Sequence, residues 1–177
     1  IDTGLDQSTL ALMHHTILQV PGVIGVHELR TRRMGSQLLA DMHIHVDPLI
    51  SVSEGHSIGD RVMGLLGRKF KRLTDVVVHI DPEDDLMIPN SQDLPLRPEI
   101  ERAVRECLIE AKKPDGQTGI EDFDLVLHYV GGSITGELTF PLPASESRGF
   151  LEEESQALSE QLITETPLSA VRILYRA

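Results

Sequence analysis

The chain has 177 residues and a net charge of −12, with 40% hydrophobic and 25% charged residues. This composition provides enough apolar material for a folded core and excludes an intrinsically disordered chain. The acidic balance argues against binding to a nucleic-acid backbone, which requires clustered Lys and Arg. No apolar run approaches the roughly 18–20 residues of a membrane span, and the first residues do not resemble a signal peptide, so we expect the sequence as given to be soluble.

The first part of the chain predicts helix, strand, strand, helix and strand in that order. Ser8 is the expected N-cap of the first helix, and Ser53 begins the second. Apolar and polar residues alternate along 37–47, which is typical of a strand with one buried face, and a turn around Gly35 precedes it. The predicted elements are helix 8–20, strand 23–33, strand 37–47, helix 53–70 and strand 74–81.

The second part of the chain repeats this order, which predicts an internal duplication. Its elements are helix 98–112, strand 123–130, strand 134–142, helix 146–164 and strand 168–175. We therefore predict an α+β fold made of two αββαβ sandwiches in tandem, each with two helices on one face of a sheet and its other face open. The expected boundaries are a first domain at 1–85, a linker at 86–97 that is rich in Asp and Pro, and a second domain at 98–177.

The single cysteine, Cys107, excludes an internal disulfide and a zinc ribbon. It lies in a helical pattern, so we expect it to be a small buried side chain. Histidine is the residue in excess, with eight copies, and is therefore the first candidate for chemistry.

Strand alternation brings several histidines to one face of the first domain. A hairpin that pivots at Gly35 pairs His27 with His43 on the open face, close enough for two imidazoles to share one ion. In the third strand the same alternation leaves His79 and Asp81 on that face. Three imidazoles and a carboxylate suit Zn²⁺, and also Cd²⁺, Co²⁺, Ni²⁺ or Mn²⁺. The alternative reading of each histidine is a solvated surface residue.

The other histidines are placed differently. His56 lies near the start of the second helix, on the core side of the sheet, so as a ligand it would come from a neighbouring subunit. His14 and His15 point apart on a helix, and His128 stands alone in the second domain. His45 shares the face of His43 but is not included in the predicted ligand set.

Four segments of the first domain resemble the cytoplasmic C-terminal domain of the cation diffusion facilitator family. The segments are PGVIGVHELRTR at 21–32, MHI at 42–44, EGH at 54–56 and DVVVHIDP at 75–82. They occur in order and at the family's spacing, over residues 1 to about 85. Glu28 stands where the signature usually has Asp, a departure that we do not expect to remove a ligand.

The resemblance implies a ferredoxin-like, metallochaperone-like fold and a role in a proton-coupled exporter of divalent cations. Such a domain would lie on the cytoplasmic side of a membrane (the bacterial inner membrane is our expectation), joined to an N-terminal transmembrane domain. It would form a homodimer that tightens when Zn²⁺ or another divalent transition metal, Fe²⁺ included, binds. The family's ligands carry over onto His27, His43, His56, His79 and Asp81.

We expect the second domain to keep the fold and lose these ligands. Aligned on the hairpin turns, His27 corresponds to Asp124 and His43 to Phe140. Aligned on the last strands, His79 and Asp81 correspond to Leu174 and Arg176, while His56 falls near Glu153. This pattern favours a structural role for the second domain.

Two other functions are compatible with the residues. One is a dimerisation module that binds no metal. The other is a zinc hydrolase with Asp81 or Glu54 as its base, which an open sheet without loops to form a cleft disfavours. Because a ligating imidazole must be neutral, the metal-binding hypothesis also predicts weaker binding in acid.

Overall fold

The protein forms two compact units, which comprise residues 1–88 and 89–177. The computed structural model describes residues 4–84, 91–110, 122–142 and 148–176. Within these ranges, no helix is both long enough and apolar enough to cross a membrane. Three parts of the prediction lie outside the described residues. They are linker residues 86–90, the end of the third helix at 111–112 and the start of the fourth helix at 146–147.

Each unit has the predicted αββαβ order. In unit 1 the elements are α1 (Gln7–Leu18), β1 (Gly25–Met34), β2 (Gln37–His45), α2 (Val52–Lys69) and β3 (Leu73–Asp81). In unit 2 they are α3 (Arg97–Glu110), β4 (Asp124–Val130), β5 (Ser133–Pro141), α4 (Arg148–Glu165) and β6 (Ala170–Arg176), and a short 3₁₀ turn at Ser91–Asp93 precedes them.

The helices of unit 1 begin earlier than the sequence suggested. Asp6, and not Ser8, caps α1, because its carboxylate accepts a hydrogen bond from the backbone N–H of Thr9 at 2.9 Å. Ser51, and not Ser53, caps α2, with its hydroxyl accepting from the N–H of Glu54 at 3.1 Å. Hydrogen bonds from Ser8, and then from Thr9, stabilise the ionised carboxylate of Asp6 and lower its pKa to about 2.

The sheet of unit 1 has the strand order β1-β2-β3, with β1 antiparallel and β3 parallel to β2. Next to the hairpin turn, Met34 pairs with Gln37, so the turn pivots between Gly35 and Ser36 and not at Gly35 itself. Regular pairing from that turn would set His27 opposite Ile44. A β-bulge between His27 and Arg30 shifts the register by one residue and sets His27 opposite His43, as predicted.

The core of unit 1 lies between the inner face of this sheet and the two helices. Alternate residues of β2 are buried, and they share one hydrophobic cluster with buried residues of α1 and α2. On α2, Gly55 and Gly59 allow a close approach to Ile80, since a Cβ on either would lie 3.3 Å from that side chain. The fully buried side chains of unit 1 include Met13, Ile17, Met42, Ile44, Val62 and Leu66.

Unit 2 is built on the same plan, with a sheet in the order β4-β5-β6. Its inner face packs on a separate core that includes Ile100, Val104, Leu108, Ile134, Leu138 and Leu162. Cys107 of α3 is buried in this core, which confirms the prediction for that thiol. Burial, together with the neighbouring carboxylate of Glu165, raises the pKa of Cys107 to about 12, so the thiol stays protonated and unreactive at neutral pH.

Candidate metal centre

Three histidines form a row across the open face of unit 1. The register pairs His27 with His43 on β1 and β2, and His43 with His79 on β2 and β3. The ring centroids of His27 and His43 are 5.3 Å apart, and those of His43 and His79 are 4.4 Å apart. The row arises because one outward-facing position on each strand carries an imidazole.

The carboxylate of Asp81 joins two of these imidazoles. Its Oδ2 lies 3.0 Å from His27 Nε2 and 2.8 Å from His43 Nδ1. Ligand atoms of His27, His43 and Asp81 all lie within 4.8 Å of one another. The side chains are 16%, 25% and 14% exposed respectively, so the cluster is sheltered but still reachable from solvent. We call these three residues the His27–His43–Asp81 cluster.

The β-bulge adds a second acidic group beside the cluster. Glu28 has a positive φ of 53°, and it is the only non-glycine residue with a positive φ in the described ranges. Its carboxylate lies 3.7 Å from His43 Nε2 and 3.0 Å from the guanidinium of Arg30. Sequence reasoning treated Glu28 only as a substitution within a motif, since alternation alone gives no sign of a bulge.

His79 stacks on His43 but directs a nitrogen to a different carboxylate. His79 Nε2 lies 3.3 Å from Asp41 Oδ1, and that buried oxygen has no hydrogen-bond partner of good geometry. A buried carboxylate oxygen without a hydrogen bond is costly unless a cation or a donor approaches it. Asp41 was absent from the predicted ligand set, although strand alternation already placed it on the same face as His43.

The structure does not bring His56 to this cluster. His56 is on α2, its side chain is 75% exposed, and its Nε2 lies 3.5 Å from Asp60 on the same helix. That placement on the helix side of the sheet agrees with the sequence argument, and a contribution from a second chain stays a prediction. His45 Nε2 lies 3.0 Å from the backbone carbonyl of Pro82, apart from the cluster.

The donor set fits a divalent transition metal. Two imidazole nitrogens and one carboxylate oxygen are a zinc-type ligand set, and ligands in a tetrahedral zinc site lie roughly 3.3 Å apart. The separations of 2.8 and 3.0 Å between the Asp81 oxygen and the two nitrogens are close to that spacing. Small side-chain adjustments would therefore let His27, His43 and Asp81 bind one ion, with at least one coordination position left for a further ligand.

Comparison with known proteins identifies the class of protein to which this site belongs. Residues 5–83 match the sequence profile of the cation efflux protein family's cytoplasmic domain. These residues are therefore a cytoplasmic domain of that family, which confirms the resemblance carried by the motifs. The family consists of cation efflux transporters, and its cytoplasmic domain is not an enzyme.

The individual relatives come from plants and bacteria. Metal tolerance protein C1 of Arabidopsis thaliana is 43% identical over 82 residues, which are 46% of this chain and 17% of that protein. The cation-efflux pump FieF of Pectobacterium atrosepticum is 30% identical over 82 residues, which are 46% of this chain and 27% of the pump. The chain thus spans between 17% and 27% of the length of these relatives.

Solved structures of the MamM CTD are also similar to part of the chain. A cadmium form of one variant is 29% identical with a TM-score of 0.42, and covers 44% of this chain and 98% of that one. A manganese form of another variant is 32% identical with a TM-score of 0.42, and covers 44% of this chain and all of that one.

Proposed function

We propose that unit 1 is the metal-sensing and dimerisation domain of a proton-coupled efflux transporter for divalent cations of the Zn²⁺ type. The observation that carries this proposal is the His27–His43–Asp81 cluster on the open face of a cation efflux cytoplasmic domain. In the full protein this domain would be joined to a transmembrane domain and would work as a homodimer.

The mechanism follows from the charges on the open face. Asp81, Glu28 and Asp41 place three carboxylates around a row of imidazoles. When two such faces approach in a dimer, these carboxylates repel one another. A bound divalent cation supplies positive charge and fixed coordination geometry at this place. His27, His43 and Asp81 would hold it on one chain, and the repulsion that keeps the two faces apart would then decrease.

His79 and His56 complete the proposed ligand set. His79 already lies against the Asp41 carboxylate, so a rotation toward Asp81 on the same strand would add it to the cluster. His56 is exposed and forms an ion pair with Asp60 on the same helix, so its side chain is accessible to a second chain. A ligand supplied across the interface would couple metal binding to dimer closure, because the closed state would bind the ion more tightly.

The identity of the metal is open within a chemical class. The nitrogen and oxygen donors are typical of Zn²⁺ sites and also accept Cd²⁺, Co²⁺, Ni²⁺, Mn²⁺ or Fe²⁺. The similar MamM CTD structures include a cadmium form and a manganese form. We propose zinc as the first ion to test. Unit 2 would serve a structural role in this account.

The test is a Zn²⁺ titration of the 177-residue chain by calorimetry, with mass and shape measured by light scattering and small-angle X-ray scattering. We expect saturable binding of one or two ions per chain and a more compact dimer. The His43→Ala/His79→Ala variant should lose both effects. The matched control is His14→Ala/His15→Ala, which removes two histidines of α1 and should leave both effects intact.

Each outcome decides between the functions considered. Binding without any change in mass or shape would keep the metal site and contradict the sensing mechanism. Absence of binding at neutral pH would leave a dimerisation module that binds no metal. Equal losses in the His43→Ala/His79→Ala variant and in the control would place the site elsewhere.

A further inference from the structure

Six of the chain's 16 Lys and Arg residues lie at one end of unit 1. Two come from the end of β1, two from the end of α2 and two from the loop between α2 and β3. The backbone N–H of Leu38 donates to the carbonyl of Arg72 at 3.3 Å, which ties the start of β2 to that loop. We call this group the basic end; its members are Arg32, Arg33, Arg68, Lys69, Lys71 and Arg72.

The basic end lacks the carboxylate partners that four other described arginines of this acidic chain have. Arg30, Arg105, Arg172 and Arg176 all form ion pairs with carboxylates. In the described part of the chain no carboxylate pairs with a member of the basic end, and the one hydrogen bond made by their side chains runs from Lys69 to the Thr16 hydroxyl at 2.8 Å. The positive charge is therefore available to a partner.

Two carboxylates lie near this charge without forming an ion pair with it. Asp6 is engaged by the hydroxyls of Ser8 and Thr9, and the exposed Asp75 lies on β3 just after the α2–β3 loop. Most other acidic residues of unit 1 lie at the opposite end of the sheet, where β2 and β3 finish. They include Asp47, Glu54, Asp81, Glu83 and Asp84. Positive charge is therefore concentrated where β2 and β3 begin, and negative charge where they end.

The basic end also carries an exposed apolar side chain. Met34, at the end of β1 beside the hairpin turn, is 64% exposed and directly follows Arg32 and Arg33. A shallow depression of about 610 Å³ is lined by Arg33, Lys71 and Arg72, by the carboxylate-bearing Asp6, and by apolar residues such as Leu38 and Phe70. An exposed apolar side chain at the same end as several cations is the pattern expected of a surface that meets lipid headgroups.

We propose that the basic end docks on the anionic phospholipid headgroups of the membrane in which the transporter sits. The proposal rests on the proposed function, which places unit 1 beneath a membrane. The start of the domain lies at the same end, because the Leu5 N–H donates to the Thr31 hydroxyl of β1 at 3.0 Å. A connection from a membrane domain to this end would turn the cations toward the bilayer and the acidic metal-binding end away from it.

The test is co-sedimentation of the 177-residue chain with vesicles at low ionic strength. One set of vesicles contains phosphatidylcholine and phosphatidylglycerol in equal parts, and the other contains phosphatidylcholine only. We expect binding to the anionic vesicles alone, and release at high salt, because screening weakens attraction between exposed charges. This outcome is demanding, since the chain as a whole carries a charge of −12 and should be repelled.

Charge-matched variants locate the surface. Arg33→Gln/Arg72→Gln should weaken partition to anionic vesicles roughly 20- to 30-fold, whereas Arg102→Gln/Arg172→Gln, which removes the same charge from unit 2, should not weaken it. Met34→Ser should weaken it less than the double variant does. Circular dichroism of each variant checks that the fold is kept.

Several results would overturn the proposal. The first two are absence of binding to anionic vesicles and equal binding to neutral vesicles. A third is an equal loss of binding in both double variants. The fourth is displacement by millimolar glycerol phosphate, which would indicate a small-molecule site. Zinc titration of the same variants separates this proposal from the metal-sensing one. Arg33→Gln/Arg72→Gln should bind zinc normally, and His43→Ala/His79→Ala should bind vesicles normally.

Discussion

The open faces of the two units carry different side chains on the same arrangement of strands. In unit 1 the register sets His27, His43 and His79 in a row across the three strands. In unit 2 the corresponding row is Asp124, Thr139 and Leu174. The two inner faces are alike, because each packs alternate apolar side chains against two helices. The outward positions are free of that packing constraint, and there the units differ.

The reversal of charge at one position is the most informative difference. In unit 1 the Asp81 carboxylate contacts the His27 ring, whereas in unit 2 the Arg176 guanidinium contacts the Asp124 carboxylate. Unit 2 thus carries its own cation at the place where we propose that unit 1 takes one from solution. A fixed ion pair cannot respond to metal concentration, which agrees with a structural role for unit 2.

The largest effect is expected where the units are alike. Met42 and Leu138 hold corresponding positions on β2 and β5, and both are fully buried. We expect Met42→Ala and Leu138→Ala each to lower the free energy of unfolding by about 2–5 kcal/mol, because each leaves a cavity in a packed core. Calorimetric unfolding measures this, with the surface variant Gln37→Ala as control. A loss of less than about 1 kcal/mol of unfolding free energy at either site would contradict the conclusion that the two cores are packed alike.

Metal affinity should separate the units next. His43→Ala should weaken Zn²⁺ binding at least tenfold, since loss of even an indirect partner of a metal ligand costs roughly 10- to 100-fold. Thr139→Ala, at the corresponding position of unit 2, should leave the affinity unchanged. Isothermal titration calorimetry checks both variants. An effect of Thr139→Ala equal to that of His43→Ala would contradict the division of roles.

Two glycine substitutions, one in the bulge of β1 and one on the regular strand β4, should change the free energy of unfolding in opposite directions and by smaller amounts. Glu28→Gly relieves a left-handed backbone conformation and should stabilise unit 1 by up to about 1 kcal/mol, less whatever the Glu28 ion pairs contribute. Val126→Gly on the regular strand β4 should instead destabilise unit 2 by roughly 0.5–1 kcal/mol. Chemical denaturation of both variants measures the sign. A destabilised Glu28→Gly would mean that the carboxylate contributes more than the strain costs.

The smallest effect concerns the ion pair of unit 2. Arg176→Gln should lower the free energy of unfolding by less than about 1 kcal/mol at low salt, because the pair is solvent-exposed. The difference from the parent chain should shrink further at high salt. Thermal unfolding at two ionic strengths provides the measurement. A loss that persists at high salt would point to packing by the arginine stem and not to charge.

The order of elements could be predicted from the sequence because it depends on the spacing of apolar residues, as along β2. The N-caps of α1 and α2 could not be predicted, because each helix start offers two good capping residues. These are Asp6 and Ser8 for α1, and Ser51 and Ser53 for α2. The match to the cation efflux family was likewise readable from its motifs. Because several good capping residues lie close together, the observed helix boundaries differ from the predicted ones by a few residues.

The alignment of the two units was predicted only in part. His27, His79 and Asp81 do correspond to Asp124, Leu174 and Arg176, but His43 corresponds to Thr139 and not to Phe140. Phe140 faces the core and is 6% exposed. The cause is the bulge in β1, which has no counterpart in the regular pairing of β4 with β5, so no single offset relates the hairpins.

The carboxylates around the cluster show the same limit. Strand alternation placed Asp41 on the open face, but its approach to His79 depends on side-chain conformation. Glu28 reaches His43 only because of the bulge. Pattern reasoning therefore predicts which residues share a face, and it does not predict which of them touch.

The most direct test of the account observes the imidazole nitrogens themselves. Long-range ¹H–¹⁵N correlation spectra of the chain, recorded during a Zn²⁺ titration, report coordination at each histidine ring. The account predicts that the ring nitrogens of His27 and His43 shift together to saturation, while those of His128 in unit 2 and of His14 and His15 on α1 stay unchanged. Unchanged His27 and His43 rings, or an equal response at His128, would contradict it.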